Sequence, residues 1–146
     1  MVAFEEVLHY IRSIAPDLPA DDEDRAMLTL FLIDWKAAID LRRPITNLEW
    51  RIEHGPQPMA EQREMLISAI EHVEGCEHQH PHLSELTDDD KRVIQDIVAR
   101  VTRRSRTGLL QLVYSTFPVL SQPRHAPINL VAMADKYKRE YRYHIS

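Results

Sequence analysis

Cys76, His78, His80 and His82, in the stretch "CEHQHPH", are four side chains competent to bind zinc. Their spacing argues against a shared ion. Side chains two apart in an extended chain sit on one face about 6.5–7 Å apart, whereas the ligands of one tetrahedral zinc converge at about 2.0–2.3 Å. Only a tight curl, restricted by Pro81, would gather them, and no second C-x-x-C or H-x-x-x-H pair stands elsewhere to complete a set. The stretch reads as a polar exposed loop. A catalytic thiol at Cys76 lacks any motif with a mechanical role.

A second candidate is His54 in "WRIEHGPQP", where Trp50, Ile52 and His54 alternate with Arg51 and Glu53 before Gly55 and Pro56. No nucleophile, phosphate cradle or matched carboxylate accompanies this histidine, so the stretch reads as a structural corner that ends a strand. Three glycines, Gly55, Gly75 and Gly108, are too few and too scattered for a phosphate-binding loop. The acid runs "DDED" (21–24) and "DDD" (88–90) fall where helices begin, and helix starts favour acids. Arg100, Arg103, Arg104 and Arg106 form a basic segment suited to phosphates. No aromatic residue interrupts it and no helix-turn-helix contains it, so it reads as a solvated or partner-facing surface. No catalytic residue, metal or cofactor is assigned, and neither an enzyme nor a nucleic-acid partner is expected.

The elements that would position these residues are mostly helical. Phe4, Val7, Leu8, Ile11 and Ile14 form one stripe of an amphipathic helix that Pro16 and Pro19 end. "DDED" then opens a second helix to about Ile39, apolar on most sides and therefore central. Between Leu41 and Glu53 the period changes, which predicts a hairpin or strand pair near residues 43–54 with a turn near Asn47. Pro58 suits the first turn of a third helix, whose inward stripe is Met65, Leu66, Ala69, Ile70 and Val73 and which Gly75 stops. After a connector at 75–86, Thr87 and Asp90 form a capping box for a helix with Val93, Ile94, Ile97, Val98 and Val101 inward. A shorter helix from Leu109 closes at Pro118, a proline-rich loop fills 117–127, and Asn129 caps a last helix to about Tyr143. The expectation is a mainly α fold: a single compact domain over 1–146, about six helices and one small β element.

Composition sets the outer bounds. The 146 residues are 44% hydrophobic, enough for one core. No apolar run approaches the roughly 20 residues that span a bilayer, so no membrane partner is expected. "MVAFEEVLHY" lacks the basic-then-apolar start of a secretory signal, and one cysteine makes no internal disulfide. The expected location is cytoplasmic. Charge is divided: residues 1–90 carry 7 Lys or Arg against 20 Asp or Glu, while residues 91–146 carry 11 against 3. Such asymmetry fits either a charged partner or mutual attraction of the two halves.

"FLIDWKAAIDLRRPITNLEWRIEHGPQP" (31–58) resembles the core signature of the Panacea domain, the SocA-like or GepA-like antitoxin domain, at Asp34, Trp35, Arg43, Pro44, Ile45, Thr46, Trp50, Gly55 and Pro56. "LTDDDKRVIQDIV" (86–98), "VYSTFPVLSQ" (113–122) and "INLVAMADKYK" (128–138) resemble later segments of that family, in order. The chain departs from the common pattern in "DRAMLTLF" at the start of its central helix and in His54 before "GP". The resemblance implies an antitoxin that neutralises a cognate toxin protein by direct binding, within a toxin–antitoxin system of the phage-defence kind. The alternative it implies is a proteolytic adaptor that delivers its partner to a protease. A metal-dependent hydrolase and a nucleic-acid-binding protein rank below both. On this reading Asp34, Pro44, Thr46, Gly55 and Pro56 are structural. Trp35, Arg43, Trp50, Arg51, His54 and Gln57 are the expected toxin contacts, with core packing as the alternative for the two tryptophans.

Overall fold

The computed structural model describes residues 2–16, 23–53, 55–73, 85–121 and 127–145. Cys76, His78, His80, His82 and His54 lie outside these described residues, and so do "DDED" in part and Gly75. Among the described residues the order is α1 (Phe4–Ile14), α2 (Glu23–Leu41), β1 (Trp50–Ile52), β2 (Pro56–Pro58), α3 (Ala60–Val73), α4 (Asp88–Thr102), α5 (Arg106–Tyr114), α6 (Phe117–Ser121) and α7 (Leu130–Ile145). The fold is mainly α with one antiparallel strand pair, as the sequence predicts. No helix among the described residues is long and apolar enough to cross a membrane.

Helix α2 is the axis. Its apolar residues occupy nearly every side, and Leu30, Phe31, Ile33 and Ala37 are fully buried. It packs against α3, α4, α5 and α7, while α1 bridges α3 and α4. Burial on all sides is what its composition demands, since no single neighbour covers a helix with so wide an apolar surface. Both ends are held from outside. The Arg25 guanidinium of α2 donates at 2.8 Å to the carbonyls of Val101 and Arg104, at and just past the end of α4. At the other end Arg42 adopts φ 59°, a left-handed stop normally given to glycine. Pro44 follows two residues later and prevents continuation.

The capping box of α4 forms as spaced. Thr87 Oγ1 accepts from the Asp90 amide, and Asp90 Oδ2 accepts from the Thr87 amide, each at 3.1 Å. Asn129 Oδ1 accepts from the Ala132 amide at 3.0 Å and opens α7. Ser105 does the same for α5 through the Gly108 amide at 3.0 Å, a cap hidden in the basic segment.

Four local expectations are corrected. The hairpin does not turn near Asn47. Residues 46–49 do not turn back: the Asn47 amide donates to the Val2 carbonyl and Thr46 bridges Val2 in parallel. The reversal comes at Glu53–Gly55, where the Glu53 amide donates to the Gly55 carbonyl at 3.0 Å and Gly55 has φ 118°. Pro58 ends β2 rather than beginning α3. Pro118 does not close a helix: α5 ends at Tyr114, and Pro118 sits in the first turn of α6, where a missing N–H leaves no bond unmade. Met65 is 56% exposed, not inward, while Leu66 and Ile70 of the same stripe are buried.

Candidate partner-binding face

The hairpin is anchored through a buried carboxylate. Asp34 lies in the middle of α2 with no exposure. Its Oδ1 accepts the amides of Ile45 and Thr46, each at 2.9 Å, and its Oδ2 accepts the Thr46 hydroxyl and, at 2.9 Å, Trp50 Nε1. Thr46 Oγ1 in turn accepts the Leu48 amide at 3.2 Å. Four donors on one carboxylate satisfy its lone pairs without a cation. Burial pushes the Asp34 pKa up to about 6, and the hydrogen bonds from Thr46, Trp50 and Ile45 oppose that rise. This knot fastens the segment 45–50 to α2.

Trp50 therefore has two duties inside the molecule. Its nitrogen holds Asp34, and its ring meets Phe31 edge-on with centroids 5.3 Å apart. Only 2% of Trp50 is exposed, and 7% of Trp35, whose ring packs against Tyr137 at 5.7 Å. The expectation that these tryptophans meet a toxin is corrected: both belong to the core. Arg43 is engaged within the molecule although its side chain is partly exposed: its Nη2 lies 2.7 Å from Oδ1 of the buried Asp90 and ties the end of α2 to the cap of α4.

What the knot presents outward is the other side of the hairpin. Trp50 pairs with Pro58, Arg51 with Gln57 and Ile52 with Pro56. Both strands show a buried–intermediate–buried pattern, so the central pair, Arg51 and Gln57, faces away from the core. Gly55 holds the tip close to α5: a Cβ there would lie 3.0 Å from Tyr114 Oη. The far edge of β1 is covered, because the Ile128 amide donates to the Trp50 carbonyl at 2.9 Å. The edge of β2 is closed chemically. Glu53 bonds Gly55 and Met59 bonds Glu49, so by antiparallel alternation residues 56 and 58 direct their backbone nitrogens outward. Both are prolines and offer no N–H. Another strand adds poorly to such an edge, which leaves recognition to side chains.

Those side chains border a groove of about 330 Å³ between the hairpin and α3, lined by Arg51, Glu53, Gln57, Arg63, Glu64 and Ile67 among others. Arg51 stands 3.7 Å from Glu53, and Arg63 Nη1 donates to Gln57 Oε1 at 3.5 Å. The lining alternates in charge around an apolar strip, and among the described residues it holds no cysteine, serine or histidine. It suits recognition of a polar protein surface by charge register. Of the expected contacts, the structure brings Arg51 and Gln57 together at this groove and places Trp35, Trp50 and Arg43 elsewhere. Sequence reading missed Arg63, Glu64 and Ile67. It also missed Gln62, whose amide clips the backbone of Asn47 (3.0 Å) and Glu49 (2.7 Å) to α3. Polar residues on the outer face of a helix carry no mark of which strand lies beside them.

Among the described residues no group of three His, Cys, Asp or Glu side chains is arranged to hold a metal ion. Two of the basic residues at 100–106 have acidic partners: Arg100 lies 3.4 Å from Asp96 and Arg106 2.7 Å from Asp24. Comparison with family models, with curated proteins and with solved structures finds no match for this chain.

Proposed function

We propose that this chain is an antitoxin that neutralises a cognate protein toxin by direct contact, as the resemblance of residues 31–58 to the Panacea domain implies. The observation that supports this reading is the knot at Asp34. Four of the residues carrying the resemblance, Asp34, Ile45, Thr46 and Trp50, form one hydrogen-bonded unit. Its effect is to hold a short hairpin with Arg51 and Gln57 outward above a groove. Such an arrangement spends its polar chemistry on presenting a surface.

The test is co-expression with the small open reading frame adjacent to this gene. Growth arrest by that product alone, relieved by this chain, is the expected result, with the two proteins co-purifying. Arg51→Glu reverses one charge at the groove, and rescue is expected to need about tenfold more antitoxin at unchanged thermal stability of the variant. Failure of the wild-type chain to relieve arrest by its neighbour would sink the reading. Relief accompanied by disappearance of the partner in a pulse-chase, instead of a stable complex, would replace it with the adaptor role.

A further inference from the structure

We infer that Gln62 is a positioning residue of the partner-binding face: its carboxamide sets how the hairpin stands over α3, and so how Arg51 and Gln57 meet a toxin. The partner's identity rests on the antitoxin reading; the placement rests on the bonds around the hairpin. Those bonds run along one edge of residues 45–53. Val2 donates to the Ile45 carbonyl at 2.8 Å and accepts the Asn47 amide at 3.1 Å, as a residue of a parallel strand set opposite Thr46 does. From Glu49 onward the hairpin supplies the partners. The Met59 amide donates to the Glu49 carbonyl at 3.0 Å, Arg51 pairs with Gln57, and the Glu53 amide donates to the Gly55 carbonyl at 3.0 Å. Between these stretches lie the Asn47 carbonyl and the Glu49 amide. Gln62 Nε2 donates to the first at 3.0 Å, and Gln62 Oε1 accepts the second at 2.7 Å. The side chain repeats opposite Leu48 the bonds that Val2 makes opposite Thr46. A carboxamide can do this because it carries a donor and an acceptor in one plane, as a peptide group does. A carboxylate has no donor and an ammonium no acceptor.

The consequence falls on α3. Gln62 stands in its first turn, and Met59, just before the helix, is bonded through both of its backbone groups. Its amide holds Glu49, and its carbonyl accepts the Arg63 amide at 2.8 Å. That attachment alone would leave Met59 as a pivot. The second attachment, through Gln62, fixes the rotation of α3 against the hairpin. Arg63 and Glu64, which follow Gln62, then line the groove with Arg51 and Gln57, and Arg63 Nη1 reaches Gln57 Oε1 at 3.5 Å. Gln62 acts through these side chains.

The experiment compares the full chain with its Gln62→Ala variant in amide spectra, in chemical unfolding and in relief of arrest by the adjacent reading frame. The amide signals of Glu49, Arg51 and Gln57 are expected to move, and the Glu49 amide to exchange at least about fivefold faster. The unfolding midpoint is expected to stay near that of the wild type, because both lost bonds are exposed. Rescue is expected to need about fivefold more antitoxin, the cost of a face no longer held in its binding geometry. In an Arg51→Ala background the same change is expected to add less than about twofold, because the contact it displaces is already gone. Thr87→Ala, which weakens the distant cap of α4, is expected to keep rescue within about twofold. Equal loss of rescue in Thr87→Ala, or full additivity with Arg51→Ala, would reduce Gln62 to a stability role and overturn the inference. So would unmoved signals of Arg51 and Gln57. If the signals move and Gln62→Ala rescues at wild-type dose, the role in recognition fails while the antitoxin reading stands. If the wild-type chain relieves no arrest, the antitoxin reading fails, and the signals alone decide whether Gln62 positions the hairpin.

Discussion

At the scale of single residues, Asp34 decides more than its neighbours in sequence suggest. An ionised carboxylate accepts from all four of its donors, whereas an asparagine in its place has one acceptor oxygen and turns two N–H groups toward amides or the indole. Asp34→Asn is therefore expected to cost about 2–4 kcal/mol in denaturant unfolding, because at least one buried donor loses its partner. The pH dependence has a definite sign. The folded-state pKa of about 6 lies above the ordinary 3.8, so between these values the folded protein holds more protons than the unfolded chain. The stability contributed by this group is complete below about pH 4 and is lost as pH rises through 6. Over that interval the gap between wild type and Asp34→Asn is expected to widen on acidification, by up to about 3 kcal/mol. A gap that stays constant from pH 7 to pH 4 would contradict the assignment. Lys36 shows the opposite balance. Partial burial lowers its pKa, yet Asp40 and Asp96 outweigh that effect and keep it raised.

At the scale of elements, the helix signals were legible and the strand signals were displaced. Thr87 and Asp90 identify the start of α4 because a capping box is closed within four residues and needs nothing distant. Thr87→Ala is expected to lower stability by about 1 kcal/mol, measured by thermal or chemical unfolding. The alternation through Trp50 and Ile52 correctly marks β1. The position of its partner was not readable, because proline usually argues against a strand and "PQP" carries two. Here proline is tolerated because β2 is the outer edge, and there the absence of an N–H is an advantage. Likewise Pro118 signals a helix end by local rule, and a helix start in the structure, since the rule is the same for both sides of a boundary.

At the scale of the whole molecule, the divided charge finds a partial internal answer. Arg106, in the basic second half, meets Asp24, in the acidic first half, at 2.7 Å, with both side chains more than half exposed. A double-mutant cycle on this pair is expected to give no more than about 1 kcal/mol, falling with added salt. Lys36 of the acidic half likewise meets Asp96 of the basic half, at 3.3 Å.

The sequence by itself determined the mainly helical class, the central place of α2, the caps of α4 and α7 and the resemblance carried by residues 31–58. All of these rest on periods and bonds that close within a few neighbouring residues. Only the tertiary structure decided that Trp35 and Trp50 point inward, that Arg43 clamps Asp90, and that Arg51 and Gln57 look out over α3. Each of these depends on which side of an element meets another. The clearest case is Asp34: its donors stand 11 to 16 residues away, and they converge only because the chain leaves a rigid helix and runs back along it.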